Sequence, residues 1–202
     1  GTTLVIKGLT SNIIKDEQGR IYSHRHPDGY WIPGGASNTG GICLNQHFKD
    51  KNYASLDKKV NLKDPSGLII YPLVGRGERF PFLQSKAQGF IEGVVKNDIQ
   101  LYSGLLEGVA YTERLAFDVL NELHCDEVET IYTAGGAAKS EVWLKIRSNI
   151  LKRRLLVPKV VEAAMGSAIL AASTIRFNST SEAVSEMVVI KKGKLKSYQI
   201  QP

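Results

Sequence analysis

Alternation of apolar and polar residues predicts strands in several parts of the chain. Residues 20–33 alternate on both sides of Pro27-Asp28-Gly29, which predicts a hairpin. A continuous apolar run over 67–74 predicts a buried strand. Shorter strands are predicted over 128–133 and 155–157, and another over 1–7. Because a strand pattern begins at the first residue, we expect the chain to be a segment of a longer protein.

Spacings of three and four residues predict helices in the second half of the chain. From about Lys96 to Leu123 the apolar residues recur at helical spacing, and they predict the core face of a long helix: Tyr102, Leu105, Val109, Ala116, Leu120 and Leu123. Further helices are predicted over 42–48, 141–151 and 163–172. The last of these consists of small residues, which suit close packing on a sheet.

The remaining segments predict loops and a tail. We expect a glycine-rich loop over 34–41, a polar surface excursion over 49–67 and a charged loop over 75–81, and we interpret 176–202 as a terminal strand or tail. Strands followed by alternating helices and strands indicate an α/β fold. Since the pattern contains neither a repeat nor a clear linker, it predicts a single domain over 1–202.

Composition and charge narrow the classes of function. The 202 residues carry a net charge of +6, but no basic stripe interleaved with aromatic residues indicates nucleic-acid binding. A basic cleft would equally suit a small polyanion. No apolar run approaches the roughly 18 residues of a membrane span. Cys43 and Cys125 lack neighbours at metal-ligand spacing, so we predict reduced thiols, no metal site and a cytoplasmic location.

The turn at Gly135-Gly136-Ala137-Ala138-Lys139-Ser140 is the strongest candidate for ligand binding. It joins the predicted strand 128–133 to the predicted helix 141–151. Glycines at such a turn permit positive φ and close approach of a ligand, and the helix start offers free N–H groups. The turn matches neither the P-loop nor the dinucleotide fingerprint. Taken alone, a Gly-Gly turn is more often a plain tight turn than a ligand site.

Several segments in a fixed order resemble one protein family. They are Gly1-Thr2-Thr3, 34–45 (GGASNTGGICLN), 71–81 (YPLVGRGERFP), 104–114 (GLLEGVAYTER), 135–143 (GGAAKSEVW) and 162–171 (EAAMGSAILA). This order is similar to that of the C-terminal domain of the FGGY carbohydrate kinases, over most of residues 1–175. The amino-acid sequences of segments 34–41 and 22–25 most resemble the cyanobacterial and plant pentulose kinase-like branch of the family.

The resemblance implies a ribonuclease H-like domain of the actin-like ATPase fold. This would be one of the two halves of a sugar kinase, with ATP and sugar meeting between the halves. The family's Gly-Thr turn contacts ATP phosphates, and Gly1 and Thr2 match it, with Thr3 beside them. Gly41 and Asn45 match positions near the nucleotide. The adenosine turn corresponds to Gly135, Gly136 and Ala137, followed by Ser140 where glycerol kinase carries an Asn.

The resemblance also implies what this chain lacks. The family's general base is an Asp upstream of the Gly-Thr turn, so no catalytic residue is expected within the 202 residues. Most of the sugar site and the acidic residues linked to Mg would belong to the missing N-terminal domain. The parent would phosphorylate a pentulose such as xylulose or ribulose. We expect this chain alone to bind ATP weakly and to catalyse nothing, because phosphoryl transfer depends on positioning and charge neutralisation.

A second interpretation stays open. Ser140 in place of Asn is compatible with a degenerate nucleotide site, and thus with a non-catalytic actin-like module that binds or regulates a partner chain. A homodimer is also left open. An organellar location would follow if the parent were of the plant type.

Overall fold

The N-terminal part forms an antiparallel sheet in the computed structural model, which describes residues 2–125 and 128–190. Its strands are β1 (Val5–Lys7), β2 (Tyr22–Arg25) and β3 (Trp31–Ala36), in the order β1-β3-β2. Tyr22 lies opposite Gly34 and Arg25 opposite Trp31, so the hairpin predicted over 20–33 is confirmed. The loop predicted over 34–41 is wrong for its first three residues, because they pair with β1 as the end of β3.

A second hairpin extends further than the pattern predicts. Strands β4 (Ile69–Glu78) and β5 (Gln84–Glu92) pair antiparallel, with register shifts on both sides of Arg76. The strand predicted over 67–74 is confirmed in part, but the loop predicted over 75–81 is wrong up to Glu78. Strand β5 has no predicted counterpart. Its residues are almost all exposed, so they carry no apolar alternation.

The helices agree well with their predicted spacing. Helix α1 (Ile42–Phe48) follows β3, a short α2 (Tyr53–Asp57) interrupts the polar excursion, and α3 (Asp98–Glu122) is the predicted long helix. The side chain of Asn97 caps α3 by accepting from the Gln100 N–H at 2.9 Å. Helix α4 (Glu141–Leu151) has the predicted bounds.

Helix α3 carries both parts of the core. One cluster joins it to α1, β4 and α4 through residues such as Phe48, Tyr102, Leu105 and Trp143. The other joins it to β1 and to the parallel pair β6 (Thr130–Tyr132) and β7 (Arg154–Leu156). Of the predicted core face of α3, Leu123 alone is only partly buried. Helix α3 therefore packs against the two sheets next to the candidate site, the β1-β3-β2 sheet and the β6–β7 pair.

The C-terminal part departs from the predicted pattern. Helix α5 (Ala163–Ile175) packs against α6 (Thr180–Met187), and among the residues of α5 only Ile169 is buried. The expected packing of α5 on a sheet is therefore wrong within the described residues. Helix α6 lies where a strand or tail was predicted over 176–202, because Ser179 and Asp28 satisfy its first N–H groups. The Lys191–Lys196 segment lies outside the described residues, and the single domain stays a prediction.

Candidate functional site

Most of the predicted site residues line one cavity of about 710 Å³. They come from the segment before β1, from α1 and from the turn between β6 and α4: Thr2, Thr3, Gly41, Asn45, Gly136, Ala137 and Ser140. Gly135 precedes these turn residues but does not line the cavity, and Gly1 lies outside the described residues. This volume falls in the range of about 300–1,000 Å³ usual for small-molecule sites.

The first turn, Thr2–Leu4, rests on the backbone of residues 37–42. The Leu4 N–H donates to the Thr39 carbonyl at 2.8 Å, and the Ile42 N–H donates to the Thr2 carbonyl at 3.1 Å. Gly40 allows this approach, since it has φ +144° and a Cβ there would lie 2.8 Å from the Thr2 oxygen. Thr2 and Thr3 are exposed at the cavity, with the hydroxyls and amides that an anion would need.

The second turn, Gly135–Ser140, joins β6 to α4 through a 3₁₀ helix over Gly136–Lys139. Positive φ, expected from the glycine pair, occurs at Gly135 (φ +82°) and not at Gly136. A Cβ on Gly136 would meet no atom within 4 Å, so the cavity side of this residue is open. The Ser140 hydroxyl caps α4 by accepting from the Trp143 N–H at 3.0 Å. Its oxygen is thus engaged in the helix cap, while its hydrogen can still be donated.

A buried ion pair beneath the second turn escaped the sequence analysis. Arg147 of α4 donates to both carboxylate oxygens of Glu113 on α3 at 2.7 Å, and to the Thr133 hydroxyl at 2.8 Å. All three residues are buried and border the cavity. The bidentate pair uses the fixed fork of the guanidinium and ties α3, α4 and the end of β6 together. The signal in the sequence was the presence of one charged residue, Glu113 or Arg147, on each of two helices predicted to pack in the core.

Uncharged hydroxyl groups border the cavity on the side of α1 and α2. The Tyr53 hydroxyl donates to Asn45 Oδ1 at 2.6 Å, and the Tyr102 hydroxyl donates to Asp57 at 2.9 Å. Burial, reinforced by the Asp57 carboxylate, raises the pKa of Tyr102 well above its usual value. Burial also raises the pKa of Tyr53 and brings that of Cys43 to about 12. The two tyrosine hydroxyls therefore stay neutral donors, and Cys43, which does not line the cavity, stays a neutral thiol.

Two lysines add positive charge to the cavity. Lys139 lies within the second turn, and Lys7 of β1 lies with its ammonium 3.6 Å from the Tyr22 ring centroid. Partial burial lowers the pKa of Lys7. Within residues 2–125 and 128–190, no group of three or more His, Cys, Asp or Glu side chains could hold a metal ion. In the same ranges, no helix is both long and apolar enough to cross a bilayer.

Comparison with known proteins identifies the family. The sequence profile of the FGGY family of carbohydrate kinases, C-terminal domain, matches residues 1–175. The chain belongs to this family. The FGGY domain is 28% identical to the gluconokinase of Bacillus subtilis over 93% of the chain and 40% of that protein. It is 27% identical to the xylulose kinase of Staphylococcus epidermidis over 86% of the chain and 36% of that protein.

The fold agrees with this assignment. The FGGY domain superposes on the Plasmodium falciparum glycerol kinase structure with ADP at a TM-score of 0.74, with 20% identity, over 95% of the chain and 42% of that protein. The predicted ribonuclease H-like, actin-like ATPase fold is thereby confirmed. The chain spans about 40% of the length of the gluconokinases that it matches.

Proposed function

We propose that this FGGY domain is the nucleotide-binding half of a carbohydrate kinase. One observation carries the proposal: two turns separated by more than 130 positions in the sequence border the same cavity. One supplies hydroxyls and amides at Thr2 and Thr3, and the other supplies an open glycine at Gly136. ATP would lie with its phosphates toward Thr2, Thr3 and Gly41 and its adenosine toward Gly135, Gly136, Ala137 and Ser140, with Asn45 nearby.

The chemistry of the cavity supports this orientation. Backbone amides and hydroxyls at Thr2 and Thr3 can donate to phosphate oxygens, while Lys7 and Lys139 add positive charge along the cavity. Arg147 is less suited to bind phosphate, because Glu113 pairs with its charge and Glu113 and Thr133 together take three of its five N–H donors. Gly136 leaves room for a flat group to approach the turn closely.

The rest of the reaction would depend on the missing half. Mg would neutralise charge on the phosphates, and the family resemblance implies that its acidic contacts come from the other domain. A general-base Asp upstream of residue 1 would take the proton of the acceptor hydroxyl. Closure of the two halves would exclude water from the cleft.

We propose a small sugar as the acceptor and favour a pentulose, xylulose or ribulose. The preference rests on the resemblance of residues 34–41 and 22–25 to the pentulose kinase-like branch of the family. The match to a xylulose kinase supports this substrate. The match to gluconokinases makes a sugar acid the alternative substrate. A cytoplasmic location, a homodimer and the lack of nucleic-acid or membrane partners remain predictions.

Nucleotide binding can be tested on the 202-residue chain with a non-hydrolysable ATP analogue. We expect amide resonances to shift at residues 2–3 and 135–140. Gly136→Val should abolish binding without a large loss of stability, because its side chain would enter open space. Gly166→Val, another glycine with open space around it but in α5, is the matched control and should bind like the original chain. Shifts confined to another surface would contradict the proposed site.

Activity can be tested on the chain and on the full-length protein that carries it. We expect no sugar phosphorylation by the chain alone, and tighter ATP binding in the full-length protein because its cleft has both walls. Phosphorylation of xylulose or ribulose would support the pentulose proposal, whereas phosphorylation of gluconate alone would contradict it. ATP binding without transfer to xylulose, ribulose, gluconate or glycerol would favour the non-catalytic module.

A further inference from the structure

Glu78, at the end of β4, is a buried carboxylate outside the cavity. Only 4% of the Glu78 surface is exposed, and both carboxylate oxygens accept hydrogen bonds. Oε1 accepts from the backbone N–H groups of Asn38 at 2.7 Å, Arg79 at 2.9 Å and, more weakly, Phe80 at 3.5 Å. Oε2 accepts from the hydroxyls of Ser37 and Tyr71, both at 2.7 Å. Among the described residues no cationic side chain pairs with it, so these hydrogen-bond donors compensate the buried charge.

The contacts of Glu78 lead toward the first turn of the cavity. The Ser37 hydroxyl, which donates to Glu78, also accepts from the Thr39 N–H at 3.0 Å. The Thr39 carbonyl accepts from Leu4, and the Leu4 carbonyl accepts from the Ser37 N–H at 2.9 Å. Two further bonds brace the same segment, from Asn38 Nδ2 to the Gly77 carbonyl and from Arg79 Nε to the Ala36 carbonyl. Glu78 is thus connected to Thr2–Leu4 through residues 37–39, which form hydrogen bonds with both.

We propose that Glu78 is a positioning residue for the phosphate end of the nucleotide, a role that rests on the proposed function of the cavity. The carboxylate holds residues 37–39, and these residues hold the backbone of Thr2–Leu4 in the conformation that presents the Thr2 and Thr3 amides to phosphate. Among the described residues, no hydrogen bond joins the second turn to this network. Loss of Glu78 therefore lowers the affinity for ligands that carry phosphate and leaves the affinity for ligands without phosphate unchanged.

Two substitutions separate the charge of Glu78 from its acceptor atoms. In Glu78→Gln the amide oxygen can keep the two backbone donors, and the Ser37 and Tyr71 hydroxyls can rotate to accept from the new NH₂ group. The strengthening of the bonds by charge is lost, and the Tyr71 hydroxyl hydrogen loses its acceptor. In Glu78→Leu all of these donors lose their acceptor in a buried site, so this variant is expected to be much less stable. The Gln variant keeps the proposal testable if the Leu variant does not fold.

Glu107 provides a matched control. Its carboxylate, on α3, likewise holds a distant loop, accepting from the Ser66 N–H at 3.0 Å and the Ser66 hydroxyl at 2.6 Å. It does not border the cavity, and no hydrogen bond among the described residues joins Ser66 to Thr2–Leu4. Glu107→Gln therefore reproduces the loss of a loop-anchoring carboxylate without touching the network of Glu78.

The test measures binding of ADP and of adenosine to the 202-residue chain by amide-resonance titration, with hydrogen exchange at Ser37, Leu4 and Ile42. For Glu78→Gln we expect the Kd of ADP to rise about three- to tenfold, while that of adenosine changes less than about twofold. Exchange at the three amides should accelerate. Glu107→Gln should leave both Kd values and these amides unchanged.

The outcomes separate this proposal from the proposed function. Equal losses for ADP and adenosine, or unchanged ADP binding, would overturn the role of Glu78, as would unchanged exchange at the three amides. If the original chain binds neither ligand at this cavity, the proposed function fails. Hydrogen exchange in the Gln variant then still decides whether Glu78 holds the turn.

Discussion

The two turns that border the cavity are held in place by different means. Thr2–Leu4 has no secondary structure of its own and depends on residues 37–42, which depend in turn on Glu78. The Gly135–Ser140 turn is built into a strand–helix connection and is fixed locally by the Ser140 cap. Beneath it lies the buried pair of Arg147 and Glu113. The first turn is therefore sensitive to distant changes, and the second to changes in its own helix and floor.

Removal of the Arg147 charge should have the largest effect, and it should act on the second turn. Arg147→Met leaves Glu113 as an unpaired buried carboxylate, which typically costs about 3–5 kcal/mol of unfolding free energy. Denaturant unfolding measures this loss. The double variant Glu113→Leu with Arg147→Met should regain most of it, since no charge is then left buried. A double variant as unstable as the single one would show that shape, and not charge, governs this floor.

Gly40→Ala should break the first turn without touching the second. A side chain at φ +144° is strained, and its Cβ would lie 2.8 Å from the Thr2 oxygen, so we expect a loss of about 1–3 kcal/mol in unfolding free energy. Gly75→Ala is the control, because its Cβ would meet no atom within 4 Å. Thermal unfolding of the two variants gives the comparison. Equal stability of both would mean that the Thr2 backbone can move away from residue 40.

Ser140→Ala should weaken the second turn by a smaller amount. The variant loses the N-cap of α4, which typically costs about 1 kcal/mol. Ser140→Asp offers the matched comparison, because its carboxylate can accept from the same N–H. Unfolding free energies of the two variants test the cap. An Asp variant no more stable than the Ala variant would show that the hydroxyl does not stabilise α4 in this way.

Asp28 provides a reference that holds neither turn, and we expect its effect to be the smallest. The Thr180 N–H, followed by the N–H and hydroxyl of Ser181, lowers the pKa of this exposed carboxylate. Because the pKa is lowered, the ionised Asp28 carboxylate stabilises the start of α6 fully above the ordinary Asp pKa, near 4. This stabilisation is lost as the pH falls through the lowered pKa. Hydrogen exchange at the Thr180 and Ser181 amides should therefore gain an acid-dependent step on top of the intrinsic rate. Asp28→Asn should lack that step, and its persistence there would assign it to another group.

Local patterns are sufficient where an element is defined by its own residues. The bounds of α1 and α4 and the core face of α3 follow from spacing, because one side of each helix is buried along its whole length. Strand β5 could not be predicted in this way. It is exposed on both faces, and it exists because β4 offers it a hydrogen-bonding edge.

The candidate site divides along the same line. Glycines at a strand–helix turn, a hydroxyl before a helix and a run of family motifs are visible in the amino-acid sequence. They determined the family and seven of the residues that border the cavity. The sequence does not show that Glu78 accepts from Ser37 across 41 positions, or that Arg147 meets Glu113 across 34. Those contacts were decided by the tertiary structure alone. A buried carboxylate is stable only where distant donors converge on it, and packing of the whole domain brings those donors together.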